Sequence, residues 1–128
     1  MTTSSCTRLG CVALFFAHVA PAVAMDADVE ACMDKLTTYD QRACADALYR
    51  TASEQLEEVV RRATQRTTLE HAASIRNSQA AWEAYRNAEC NGVVGRPGGT
   101  GARAWALGCL TEKTRDRIKE VDVPFYAR

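Results

Sequence analysis

Apolar residues recur at three- and four-residue steps along the middle of the chain. Cys44, Ala45, Leu48, Ala52, Leu56, Val59 and Ala63 fall within roughly 120° of arc on a helical wheel. This pattern predicts a helix with one buried face, about twenty-five residues long. Thr37-Thr38-Tyr39-Asp40 precedes it, a Thr N-cap followed three residues later by an acid. A shorter helix fits Asp26 to about Leu36, with acids in its first turn where the helix dipole favours them. After Ala63 the polar, β-branched run Thr64–Thr68 interrupts the pattern, and Thr67-Thr68-Leu69-Glu70 offers a second capping box. A new helix is placed there; because no Gly or Pro enforces the break, one helix from Thr37 to Cys90 is the alternative. A second stripe, Ala72, Ile75, Gln79, Trp82, Arg86 and Cys90, runs to a stop signal at Asn91-Gly92. Residues 92–101 hold five glycines and a proline and read as a loop. A last helix, Ala102 to Val121, carries Trp105, Cys109 and Ile118, and Pro124 closes it. Nowhere do β-branched residues alternate with polar ones. The expected fold class is all-α: a small helical bundle with a long helical hairpin.

The second stripe is chemically unusual. Gln79, Trp82, Arg86 and Cys90 share one face within roughly 80°, where an ordinary core would present Leu and Val. Buried, such groups are costly unless each polar atom finds a partner. The structural expectation puts Trp82 at the centre of the bundle, Arg86 on helix-end carbonyls or an acid such as Asp40, and Gln79 as a cross-link between helices. The functional one makes Trp82 and Arg86 a ligand-binding pair in a surface groove.

Composition changes the picture at the N-terminus. Arg8, the apolar run Gly10–Ala20 and Ala22-Val23-Ala24 have the layout of a secretory signal peptide with an A-x-A cleavage site. The run is too short to span a bilayer, and Cys11 precedes most of it, the wrong order for lipidation. Residues 1–24 are therefore expected to be a leader and 25–128 a single exported domain, periplasmic or secreted. That domain keeps four cysteines, Cys32, Cys44, Cys90 and Cys109, and one histidine, His71. An even cysteine count in a small exported domain argues for two disulfides. With no C-x-x-C pair and one histidine, no metal site is expected.

The domain carries fifteen Lys and Arg against sixteen Asp and Glu, unevenly placed. Residues 25–60 hold nine acids and three bases; residues 61–128 hold seven acids and twelve bases. Antiparallel packing would let these halves neutralise each other, or the first half presents an acidic patch to a cationic partner. Nucleic acid is disfavoured, because the bases are neither clustered nor interleaved with aromatics. Catalysis is disfavoured too. Ser74 lies near His71 without an orienting acid, and Glu57-Glu58 and Glu83 with Glu89 do not converge. No catalytic residue and no cofactor are expected.

The order of motifs then resembles a known family. Thr37, Asp40 and Cys44 form Thr-x-x-acid-x-x-x-Cys; Gln79, Trp82, Tyr85, Arg86 and Cys90 form Gln-x-x-Trp-x-x-Tyr-Arg-x-x-x-Cys. Gly98-Gly99-Thr100 follows, then Cys109 with Thr111, Thr114 and Arg115 just beyond it. Together these resemble the LprI-like family of exported bacterial proteins, named for a lysozyme-inhibitor lipoprotein, over about Cys32 to Val121. The resemblance implies an all-helical, disulfide-stapled domain without a cofactor, and lysozyme inhibition as its activity. This chain departs from the namesake in showing no convincing lipobox.

Four cysteines allow three pairings, of which order along the chain favours Cys32–Cys44 and Cys90–Cys109. The functional expectation is a non-enzymatic binding protein whose partner is a lysozyme or another cationic muramidase. An envelope interaction protein with a different partner is the alternative. Within the loop, Arg96 and Thr100 are candidate donors to the carboxylates of an enzyme cleft, with Gly98 and Gly99 beside them.

Overall fold

A computed structural model describes residues 25–94, 99 and 101–122. The expected leader, Arg96, Gly98, Thr100 and the tail after Asp122 lie outside the described residues. Four α-helices follow in order: α1 (Ala27–Met33), α2 (Thr38–Gln65), α3 (Leu69–Ala88) and α4 (Ala102–Val121), with a π-helical segment, Glu89–Val94, extending α3. The fold is all-α, as the periodicity predicts, and α2 and α3 form the long hairpin. Tyr49 meets Arg86 at one end of this pair and Val59 packs with Ile75 toward the other, so the two helices run antiparallel. Helix α4 lies along α2 in the same direction, Ala45 packing with Leu107 and Val59 with Val121. None of the described helices is long and apolar enough to cross a membrane.

The chain's capping chemistry sets the helix starts. Thr37 Oγ1 accepts the Asp40 backbone N–H at 3.1 Å and donates to the Asp40 carboxylate at 2.7 Å, satisfying an otherwise orphaned donor. The break before α3 is real, but its cap is Thr68 rather than Thr67: Thr68 Oγ1 accepts from His71 N at 3.2 Å. The register slips by one residue, and Glu70 takes no part in a reciprocal box. Helix α1 stops at Met33, short of Leu36. Gln41 of α2 explains why: its Nε2 donates to the carbonyls of Met33 at 2.8 Å and Lys35 at 3.0 Å, fixing the corner and leaving Leu36 fully exposed.

The expected stop at Asn91-Gly92 is overturned. Glu89 keeps helical dihedrals, and the backbone widens into π-helix through Val94. No described glycine adopts positive φ, so Gly92 does not serve as a left-handed cap. Within this widened turn Cys90 is wholly buried and bonded to Cys109, with 5.6 Å between Cα atoms. Cys32 bonds Cys44 across 5.4 Å.

The core divides into three layers along the bundle. At one end Ala45, Cys90, Leu107 and Leu110 pack with Met33, Tyr49 and Cys109; at the other, Val59, Ala63, Ile75 and Val121 pack with Val60 and Ile118. Between them the buried side chains of α3 and α4 are polar: Gln79, Arg86, Thr111, Thr114 and Arg117. Helix α1 is laid over the first layer. A Cβ on Gly108 would come within 2.9 Å of Val29 Cγ1, so glycine is what lets α1 approach α4 so closely.

Ion pairs also tie α1 down. Arg115 reaches Asp26 at 2.9 Å and grips both carboxylate oxygens of Asp28 at 2.8 and 2.6 Å. The hydrogen bonds from Arg115 hold the Asp28 carboxyl below its ordinary value of 3.8, against a smaller opposing effect of burial. A depressed carboxylate contributes stability above that ordinary value and loses it as pH falls through its folded value. Arg115→Gln should therefore destabilise the domain near neutrality by about 1 kcal/mol or less, the pair being solvent-screened. The difference from wild type should fade below about pH 4, as followed by urea melts across that range. The Cys90–Cys109 bridge closes a loop with a sequence separation of 19. Replacing both cysteines by Ser should cost about 3 kcal/mol; an unchanged denaturation midpoint would contradict this.

Candidate functional site

The polar middle layer is built around two guanidinium groups. Arg86 is only 6% exposed, yet among the described residues no carboxylate lies within ion-pair distance of it. Its Nη1 donates to Thr114 Oγ1 at 3.1 Å, and Nε and Nη2 donate to Asn87 Oδ1 at 3.1 and 3.0 Å. The guanidinium carbon lies 4.9 Å from the ring centroid of Trp82 and 5.6 Å from that of Tyr49, where the negative faces of the rings stabilise a cation. Arg117 stands over the same Trp82 ring at 5.6 Å. It donates to Gln79 Oε1 and Ser78 Oγ, both at 3.2 Å, and to Glu120 at 3.0 Å.

Two sequence expectations are corrected here. Trp82 does not fill the centre of the bundle but is half-buried at its edge, because two arginines use its ring as a platform. Arg86 bonds neither helix-end carbonyls nor Asp40; its acceptors are neutral side chains from α3 and α4. Gln79 does cross-link α3 to α4, through Arg117. Tyr85 stays outside, exposed, with Lys113 Nζ 5.2 Å from its ring centroid. Arg117 was not singled out from the sequence. The signal was present in the i, i+3 run Thr111, Thr114, Arg117, which continues the buried face of α4 from Leu107.

The threonines are satisfied locally. Thr111 Oγ1 donates to the Leu107 carbonyl at 2.8 Å and Thr114 Oγ1 to that of Leu110 at 2.6 Å. Thr114 thus hands its oxygen lone pairs to Arg86 while spending its proton inside α4. Beside this layer, between α2 and α3, opens a groove of about 300 Å³ reached by Tyr49, Leu56, Glu57, Gln79, Glu83 and Arg86.

A second feature lies at the end of the bundle where α1, the start of α2 and the start of α4 meet. Leu36 and Tyr39 are exposed there, and Trp105 is nearly half exposed. Trp105 lines a concavity of about 400 Å³ with Met25, Glu30, Met33 and Asp34. Neither Glu30 nor Asp34 is ion-paired among the described residues. Gly101, where the Gly-rich segment enters α4, sits next to Gln41. Gly99 is exposed and its carbonyl accepts from Ala102 N at 3.1 Å. The structure thus places the C-terminal edge of that segment beside an apolar and acidic surface, away from the Arg86 layer.

Fold and site together define a small all-helical domain, stapled by two disulfides and organised around a buried polar layer. The model of the family described as lysozyme inhibitor LprI matches residues 31–121, and the chain belongs to that family. No curated protein and no solved structure matches it.

The polar layer makes a direct prediction. Thr114→Val keeps the shape of the side chain but removes the acceptor of Arg86, leaving a buried charge short of a partner. A loss of about 1–3 kcal/mol is expected in chemical denaturation, well above the effect of the same exchange at exposed Thr51.

Proposed function

We propose that this protein is an exported, non-enzymatic lysozyme-inhibitor-like binding protein, with residues 1–24 as its cleaved leader. Family membership supports the activity, and the two disulfides support export to an oxidising compartment. The single observation that carries the mode of binding is the end of the bundle formed by Leu36, Tyr39 and Trp105 with Glu30 and Asp34. Exposed aromatic and aliphatic side chains are the usual anchors of a protein interface. Carboxylates without internal partners draw a cationic protein toward them and orient it.

The Gly-rich segment joins α4 at this end, and we assign residues 92–101 to the same contact. In this reading Arg96 and Thr100, flanked by Gly98 and Gly99, donate to the carboxylates of the lysozyme cleft, and the bulk of the domain blocks substrate entry. The acidic first half of the chain supplies the long-range attraction. Its acids at the α1 start are partly neutralised by Arg115, whereas Glu30 and Asp34, which line the concavity with Trp105, have no ion pair among the described residues.

The test is cell-wall lysis by lysozyme with increasing amounts of the protein. Inhibition should appear, weaken as salt shortens the screening length from about 10 Å at 0.1 M toward about 3 Å at 1 M, and fall about ten-fold in Trp105→Ala or in Glu30→Lys/Asp34→Lys. Undiminished lysis at large molar excess removes the proposal. Inhibition indifferent to those substitutions moves the interface elsewhere on the molecule.

A further inference from the structure

The groove between α2 and α3 is a different surface from the one assigned to lysozyme, and its two ends differ in charge. At one end lies Arg86. Three of its five N–H groups are used, all on neutral oxygens, so the buried cation keeps donors and an uncompensated charge. A planar guanidinium in that condition is a preferred receptor for a carboxylate, which it can hold by two parallel hydrogen bonds. Glu57 lines the groove toward the other end and Glu83 lines its α3 wall one turn from Arg86, both exposed and without an ion pair among the described residues. Glu83 accepts only the Gln79 amide, at 3.2 Å. Between the ends run Leu56, Val60 and the ring of Tyr49. Ser53 lies on the same wall, and its covered Oγ has no hydrogen-bond partner among the described residues.

A single anion is repelled by the glutamates and a single cation by Arg86. A ligand carrying both charges, separated by a partly apolar body, fits both ends. We propose that this groove binds a short zwitterionic peptide, its terminal carboxylate on Arg86 and its terminal ammonium on Glu57, on the side of Glu83 away from Arg86. The helix geometry sets the length. Tyr49 stacks with Arg86, and Glu57 lies eight residues further along α2, about 12 Å at the helical rise. Glu83 is one turn from Arg86 on α3. A peptide covers about 3.3–3.6 Å per residue when extended, so two or three residues with an ion-pair contact at each end span that interval. The volume of about 300 Å³ is at the lower bound of small-molecule sites and matches a ligand of that size.

Capped peptides separate this from a merely apolar groove. The dipeptide Ala-Leu, N-acetyl-Ala-Leu and Ala-leucinamide are titrated into the purified protein, and binding is followed by calorimetry and by amide chemical shifts of residues 49–60 and 79–86. Ala-Leu should bind saturably at one site, and blocking either terminus should weaken it about ten-fold. Glu57→Gln/Glu83→Gln changes only exposed side chains and leaves the fold intact; it should weaken Ala-Leu by a similar factor while barely affecting N-acetyl-Ala-Leu. Absence of saturable binding at millimolar peptide overturns the proposal. So does equal binding of the capped forms, or a double variant that binds Ala-Leu as wild type does.

Discussion

A guanidinium buried without a carboxylate is the constraint around which this bundle is arranged. With no carboxylate beside Arg86, the fold must supply acceptors and polarisable surface in its place. It does so from three helices: Thr114 of α4, Asn87 and Trp82 of α3, and Tyr49 of α2. The contacts to Thr114 and Tyr49 each fix an axial register between helices. With Arg86 level with Tyr49 and Thr114, α2 and α3 cannot slide past one another, and α4 is held to both. The apolar clusters above and below would tolerate such slippage more readily, since Ala, Val and Leu contacts are not directional. The polar layer thus contributes specificity of arrangement, and the apolar clusters contribute the bulk of the stabilisation.

The disulfides act at the same end as one of those clusters. Cys90–Cys109 ties the π-helical extension of α3 to α4, and Cys32–Cys44 ties α1 to α2. Helix α1 has only seven residues, too few to persist alone in water. It is held by that bridge, by Val29 seated against Gly108, by the Gln41 amide at its C-terminal carbonyls and by Arg115 at its start. These four ties explain how so short a helix can present Glu30 and Asp34 in a fixed position beside Trp105.

Much of this was legible in the sequence, and the parts that were not share one cause. The start of α2 follows from Thr37 and Asp40, because capping is a local interaction, and the start of α4 at Ala102 follows from the end of the Gly-rich run before it, which is also a local signal. Helical phase correctly put Gln79, Arg86 and Cys90 on the inner face. Phase gives direction, not depth: Trp82 shares that face yet stops at the edge, because Arg117, from a helix 35 residues away in the chain, competes for its ring. The acceptor of a long side chain depends on tertiary register in the same way: the sequence suggests helix-end carbonyls or an acid such as Asp40 for Arg86, and the fold supplies Thr114 and Asn87. The stop at Gly92 failed because burial of Cys90 against α4 holds the next turn helical in spite of the glycine.

A disulfide-stapled LprI-family domain therefore uses its most conspicuous residues to hold itself together, and it leaves one acidic, apolar end and one dipolar groove facing outward. The central claim is that Arg86 and Thr114 act as one unit across α3 and α4. A double-mutant cycle on Arg86→Met and Thr114→Val, read by chemical denaturation, measures that coupling most directly. Thr114→Val should cost little once Arg86 has become Met, giving a coupling of about 1 kcal/mol or more. Two losses that add to within about 0.5 kcal/mol would contradict the account.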